Sequence, residues 1–292
     1  VRASGTVRDS AAGVYFRLGR VSNLPTVWTN VLAGTALAGV HVAPGRLAAL
    51  MLAFSLLYVG GMYLNDAFDR DIDARERPER PIPSGRIGAG RVFAIGFSLL
   101  GLGVLLQVPV GAWPAWVSGA VLAGVITYYD IDHKTNRLSP LVMALCRVLV
   151  YVTAALAVAD RLPRAVVGGA AVLLCYLVGL TCVAKQENLS EVRNLWPLAF
   201  LAAPFLYTAP AIRDGVLPAA LYVAFLAWVA YMVSLVVRRE GRDIRGAVVG
   251  LIAAISLLDA LLIAGTADAG RAAAAIAGFA LTLGLQRWVP GT

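Results

Sequence analysis

The residues with the plainest chemical meaning in this 292-residue chain are Asn65-Asp66-Ala67-Phe68-Asp69-Arg70-Asp71-Ile72-Asp73. At about 100° per helical residue, Asp66, Asp69 and Asp73 fall within about 60° of one another, with Asn65 beside them and Asp71 turned roughly 140° away. Three carboxylates on one stripe repel and raise one another's pKa unless a cation is held among them. Hard oxygen donors on one face suit Mg2+, which takes one or two carboxylates and fills its shell with water and phosphate oxygens. The competing reading is a solvated acidic helix end neutralised by nearby arginines.

A second acidic pair, Glu187 and Glu191, stands at i, i+4 after Lys185 and shares a helix face in the same way. Alone it reads as an ordinary helix terminus beside Lys185 and Arg193. Its position relative to the first motif gives it weight, because two acidic stripes facing one cavity can hold two or three Mg2+ around a diphosphate. The basic residues nearest these motifs are candidate clamps for such a group: Arg77, Arg80 and Arg86 after the first, then Lys134, Arg137 and Lys185.

The elements that must position these residues are apolar and long. Of the whole chain 59% is hydrophobic and 14% charged, with a mean hydropathy of +0.76, whereas ordinary soluble domains carry roughly a quarter charged residues. Disorder and an ordinary soluble enzyme are both excluded. Ten apolar segments can be drawn, near 22–41, 47–65, 91–108, 112–129, 138–159, 164–184, 195–211, 216–237, 246–265 and 271–288, of which 195–211 is short and holds three prolines. This is the pattern of a polytopic, all-α membrane bundle of nine to ten transmembrane helices. Residues 1–292 read as one integral membrane domain. Residues 1–20 form a polar, basic leading segment without the apolar stretch of a signal peptide.

Nineteen of the 25 Lys and Arg residues fall in alternate connections on one side and five on the other. The positive-inside rule then puts both termini, and both acidic motifs, in the cytoplasm of a multi-pass protein. The net charge of +8 is thus a matter of lipid-bilayer topology and an anionic substrate, with no nucleic acid implied. Cys146, Cys175 and Cys182 sit inside apolar segments and read as small core residues.

Asn65–Asp73, followed by Arg75-Glu76-Arg77-Pro78-Glu79-Arg80-Pro81-Ile82-Pro83-Ser84-Gly85-Arg86, resembles the first aspartate-rich signature of the UbiA superfamily of intramembrane prenyltransferases. The layout is similar too, with a Tyr129-Asp130…Lys134…Arg137…Pro140 connection after the fourth segment and an acidic motif after the sixth. The resemblance implies a helical bundle around a central cavity, open laterally to lipid and capped by the motifs on the cytoplasmic side. It also implies an enzyme that uses Mg2+ to bind an isoprenyl diphosphate, ionises it and passes the prenyl group to an acceptor, here unidentified. Asp66, Asp69, Asp73, Glu187 and Glu191 would then be catalytic, and together with Asn65 would hold the metal. Two features depart from the family. Glu187-x-x-x-Glu191 stands where Asp-x-x-x-Asp is usual, and ten segments stand where nine are usual; both suggest a divergent branch, similar to the group called EboC-like.

Arg147 lies about nine residues into the fifth segment, roughly 14 Å deep, and an intramembrane charge marks a functional site or a buried pair. It is read here either as a structural partner of Asp259 or as a substrate-binding residue. Asn23, Thr26 and Asn30 recur at helical spacing in the first segment and can line an acceptor pocket. Tyr58, Tyr63, Phe68, Tyr128, Tyr129 and Tyr151 can line a cation-tolerant one. The alternative activity is a membrane terpene cyclase that begins with the same loss of diphosphate. A transporter is the alternative from another class, disfavoured because transport carboxylates usually sit near the midplane.

Overall fold

The computed structural model describes residues 11–185, 196–238 and 241–289, and among these every regular element is helical. A short helix α1 (Ala11–Leu18) precedes α2 (Leu24–Leu37), α3 (Pro44–Phe68), α4 (Arg70–Glu76), α5 (Ala89–Leu105), α6 (Trp113–Asp132), α7 (Ser139–Leu156) and α8 (Arg164–Ala184). The short α9 (Ala203–Thr208) lies between two 3-10 stretches, Trp196–Ala202 and Ala209–Asp214, and is followed by α10 (Val216–Arg238), α11 (Gly241–Ala264) and α12 (Ala269–Gln286). Prolines 25, 44, 114 and 140 occupy the first turns of α2, α3, α6 and α7, where the missing N–H breaks no helical bond and the fixed φ favours initiation.

Nine of the ten expected segments are continuous helices, and the tenth is broken. Pro197, Pro204 and Pro210 punctuate residues 196–214, and the chain there alternates between 3-10 and α geometry. It still runs the length of its neighbour. Gly179 near the end of α8 faces Leu201 and Pro197, whereas Gly168 near its start faces Tyr207. At about 2.0 Å per 3-10 residue and 1.5 Å per α residue the stretch reaches roughly 35 Å, enough for a hydrocarbon core of ~30 Å.

Cross-contacts fix which helix ends meet. Gln286 Nε2 donates to Asn23 Oδ1 at 3.0 Å, and Lys185 Nζ to the Asn136 carbonyl at 3.2 Å. The first joins the end of α12 to the start of α2, and the second the end of α8 to the α6–α7 turn. At the opposite end Arg46 reaches the carbonyls of Val110 (2.8 Å) and Ala157, and Arg271 that of Val40 at 3.5 Å. The first end carries residues 65–86 and is called the charged end below.

Among the described residues five helices are long and apolar enough to span a membrane by length and composition: α3, α7, α8, α10 and the 244–264 part of α11. Two of them have nearly the same apolar character but opposite surroundings, since 89% of the α11 window is buried and only 28% of that of α10. An apolar helix left so uncovered requires lipid. Helices α2 and α7 form a dividing wall. Leu32, Ala36, Tyr151 and Ala155 join a core shared with α8, α10, α11 and α12, while Val27, Val31, Val150 and Ala154 face α3, α5 and α6.

Gly34 allows that wall to close. A Cβ there would stand 2.7 Å from the Tyr151 backbone oxygen and 3.1 Å from its Cα, which cannot yield as a side chain can. Gly101, on the outside of α5, has nothing within 4 Å. Gly34→Ala is therefore expected to cost about 1–3 kcal/mol through overpacking, read as a lower unfolding midpoint in detergent, while Gly101→Ala should be neutral or mildly stabilising.

Candidate active site

The aspartate stripe does not continue along one helix. Helix α3 ends at Phe68, Asp69 is the junction, and α4 restarts at Arg70. All three carboxylates are nonetheless buried, with Asp66 7%, Asp69 4% and Asp73 2% exposed. The break sends them to different partners. Asp66 Oδ1 accepts from Arg20 Nη2 and from Arg80 Nη1, each at 3.3 Å, and Arg80 Nη1 also reaches Asp73 Oδ2 at 2.7 Å. Asp69 Oδ2 turns to the end of α6, 3.4 Å from His133 Nε2 and 3.5 Å from Lys134 Nζ. Burial works to raise the Asp69 carboxyl, but the hydrogen bond and charge of His133 and the charge of Lys134 hold it below its ordinary value. Asp71 faces outward and meets only Arg70, at 3.5 Å.

Asn65 links this cluster to α6. Its Oδ1 accepts from Arg20 Nη2 and its Nδ2 donates to Asp130 Oδ1, both at 3.2 Å. The second oxygen of Asp130 is buried and has no hydrogen-bond partner among the described residues. Arg20 adopts a left-handed backbone, φ 41° and ψ 46°, a conformation that costs a non-glycine residue about 1–2 kcal/mol. Burial opposes its charge, yet Asp66 holds the guanidinium above its ordinary value.

Behind this mouth lies a cavity of about 280 Å³. Arg20, Arg77, Arg80, Tyr129 and Asp130 line its charged end, and Phe54, Leu57, Ile126, Leu177, Leu180 and Ile252 are among its apolar walls. Six helices contribute, α2, α3, α6, α7, α8 and α11. Polar atoms converging on a long apolar chamber suit a ligand with an ionic head and a hydrocarbon tail.

The sequence profile of the UbiA prenyltransferase family matches residues 26–248. The chain belongs to this family. Two solved structures share its fold. One comes from work on digeranylgeranylglyceryl phosphate synthase in membranes, with a TM-score of 0.62 and 18% identity, covering 87% of this chain and 97% of that one. The other is the apo structure of a UbiA homolog from Aeropyrum pernix K1, with a TM-score of 0.64 and 14% identity, covering 84% and 97%. No curated protein matches the sequence. Family membership and the uncovered apolar helices make this an integral membrane protein and a prenyltransferase.

Of the residues that the sequence singles out in this UbiA protein, Asn65, Asp66, Asp69, Asp73, Arg80 and Lys134 gather at the charged end, and of these Arg80 lines the cavity while the three aspartates stand behind it. Arg77 and Tyr129 line the cavity there, Tyr129 stacking on His133 with ring centres 4.8 Å apart. Asn23 lines it from the start of α2. Burial lowers the pKa of Lys185, partly offset by Cys182, with a smaller further lowering from the charge of Lys134. Arg137 is exposed and does not line the cavity. Glu187 and Glu191 lie outside the described residues, although Lys185 leaves α8 at the charged end.

Among the described residues no three acidic, histidine or cysteine groups gather to hold one ion, because Asp66 and Asp73 turn to arginine and Asp69 to α6. The donor set still fits a hard cation. Its carboxylate and amide oxygens are hard donors, His133 adds an imidazole beside Asp69, and among the described residues Asp130 Oδ2 is a buried oxygen without a hydrogen-bond partner.

Arg147 and Asp259 are not in direct contact. Asn30 stands between them, accepting from Arg147 Nη1 at 3.0 Å and donating to Asp259 Oδ2 at 2.8 Å, while Tyr151 donates to the other Asp259 oxygen. Three residues escaped the sequence reading. Arg20 looked like one more topology arginine, His133 is one of only two histidines, and Asp130 sat inside a quoted stretch without being singled out.

Among the described residues Arg80 is the single side-chain hydrogen-bonding partner of the Asp73 carboxylate. Arg80→Gln should therefore lower stability in metal-free detergent by about 3 kcal/mol, as for other broken buried pairs. Arg75→Gln, whose side chain bonds only the exposed Asp71 carbonyl, should leave the denaturation curve in place.

Proposed function

We propose that this protein transfers the prenyl group of an isoprenyl diphosphate to an acceptor, with Mg2+ held by Asp66 and Asp69 together with Asn65, Asp73 and Asp130, and that Glu187 and Glu191 complete the acidic ring. The observation that carries this reading is the joining of a carboxylate-and-arginine mouth to an apolar cavity of about 280 Å³. When bound, Mg2+ would neutralise the charge that builds on the diphosphate as the C1–O bond breaks. Arg20, Arg77, Arg80, Lys134 and Lys185 would bind the phosphate oxygens, with Arg137 at the outer rim. The apolar walls would hold the tail and exclude water from C1. Tyr129 and Asn23 would line the path of the incoming acceptor, whose nucleophilic atom bonds to C1 and loses a proton while pyrophosphate leaves with the bonding electrons.

The whole chain, residues 1–292, would act as one membrane unit with residues 1–20 and the mouth on the cytoplasmic side. The basic clustering at the charged end supports that orientation.

The test uses the purified protein with Mg2+, allylic isoprenyl diphosphates of increasing length and a crude cell extract as the source of acceptor. Pyrophosphate release should be abolished by chelation and should fall by about 100-fold or more in Asp66→Asn and Asp69→Asn, the scale of losing a main charge-stabilising group. Without acceptor the diphosphate should persist. A cyclic hydrocarbon formed in that condition would establish the cyclase instead, and metal-independent turnover would overturn the proposal.

A further inference from the structure

The chamber has a blind end. Along α3 the residues that line it, Met62, Gly61, Tyr58, Leu57 and Phe54, recur at helical spacing away from the charged end, and Phe54 is the deepest of them. Leu122 and Val150 are the deepest lining residues on α6 and α7. The three belong to one apolar core, in which Phe54 and Leu122 are 1% exposed and Val150 6%. Behind them the same core continues with Leu50 and Ala115, neither of which has any exposed surface.

This limb is the longest apolar path down from the charged end. On α8 the lining reaches only Leu177, about 12 Å from Lys185 at ~1.5 Å per residue. From Asp66 to Phe54 the distance along α3 is about 18 Å by the same rise. Arg147 stands part-way down the wall and does not close the path. Its guanidinium is drawn to α2 by Asn30 and Thr26, both at 3.0 Å, and lies 5.5 Å from the centre of the Tyr58 ring. The α3–α6 side is otherwise apolar, formed by Leu57, Gly61, Ile126 and Leu122. A diphosphate held at the charged end fills the upper part. An extended prenyl unit covers roughly 5 Å, about four carbon–carbon bonds of ~1.5 Å in zigzag. About two or three units therefore fit before the chain meets Phe54.

We infer that Phe54 is the length gauge of this enzyme: the prenyl tail lies along α3 and α6, its last unit ends against the Phe54 ring, and the substrates are short isoprenyl diphosphates of geranyl to farnesyl length. The inference rests on the prenyl-transfer reading and deepens it. Each unit that stays within the limb gains binding energy in proportion to the apolar area it removes from water. A unit more than the limb holds has to displace close-packed core atoms, which is unfavourable. Phe54→Ala leaves an apolar void the size of the lost ring, close to that of one prenyl unit, and such a void stays dry and takes an apolar guest. The limit then moves outward by one unit.

The experiment measures binding to the full-length protein in detergent with Mg2+, using non-ionising thiolodiphosphates that carry dimethylallyl, geranyl, farnesyl or geranylgeranyl tails, together with the corresponding prenyl alcohols. In wild type each unit up to geranyl or farnesyl should tighten binding by about tenfold or more, and the next unit should add nothing or weaken it. Phe54→Ala should move that break one unit longer, so that the first analogue excluded by wild type binds about tenfold more tightly. Phe54→Trp should move it shorter. Leu180→Ala, on the α8 wall, should leave it in place. Affinity that keeps rising to geranylgeranyl in wild type would overturn the gauge, since the tail would then leave sideways into lipid, and this result stands even if Phe54→Ala fails to fold. A break that stays put in Phe54→Ala, or that moves equally in Leu180→Ala, would overturn it as well. The same break with the alcohols, and no gain from the diphosphate and Mg2+, would count against the prenyl-transfer reading and leave the length limit standing.

Discussion

Three buried aspartates at the end of a membrane helix are the constraint on which the rest of this structure depends. Asp66, Asp69 and Asp73 are each less than a tenth exposed, and unpaired carboxylates at such burial would be strongly unfavourable. The structure answers with cations from separate segments: Arg20 ahead of α2, Arg80 from the connection after α4, and His133 and Lys134 from the end of α6. The charged end is therefore tied together by ions, whereas the remainder of the bundle is held by apolar packing against close glycine contacts. The same arrangement makes the mouth exchangeable. On the proposed function, arginines that neutralise carboxylates here would turn to phosphate oxygens when a metal takes their place.

The chamber below repeats this logic with the sign reversed. Arg147 is fixed by polar neutral groups, and its remote carboxylate is satisfied by others. The walls of the chamber are otherwise apolar, contributed by helices from both halves of the bundle that meet along α2 and α7, and they reach past Arg147 to Phe54 and Val150.

Much of this is written locally in the sequence. The apolar blocks give the crossings, including the proline-rich 196–214, because an 18- to 25-residue apolar run has few alternatives in a membrane. The helical period placed Asp66, Asp69 and Asp73 together, although the break at Asp69 was invisible, since no proline or glycine marks it. Periodicity could not show which distant residues would neutralise the stripe. Arg20 and His133 approach it through helix-end meetings that depend on the packing of α2 and α6 against α3, and Asp130 gains its meaning only from Asn65. The left-handed Arg20 follows Gly19, a turn signal that points to a chain reversal but not to a ligand of Asp66. Arg147 and Asp259 were legible as two deep charges, open to a direct pair or a substrate role; that Asn30 would stand between them was not, because helical spacing shows which residues share a face of α2 but not which distant helix that face meets.

The most direct measurement is a density map of the protein with Mg2+ and a non-ionising thiolodiphosphate analogue of an isoprenyl diphosphate. The account predicts metal and diphosphate density against Asp66, Asp69 and Asp130 at the mouth, with Arg20 and Arg80 turned from carboxylate to phosphate and the tail running between the apolar walls. An analogue bound elsewhere, with the Arg80 bridge between Asp66 and Asp73 intact, would contradict it.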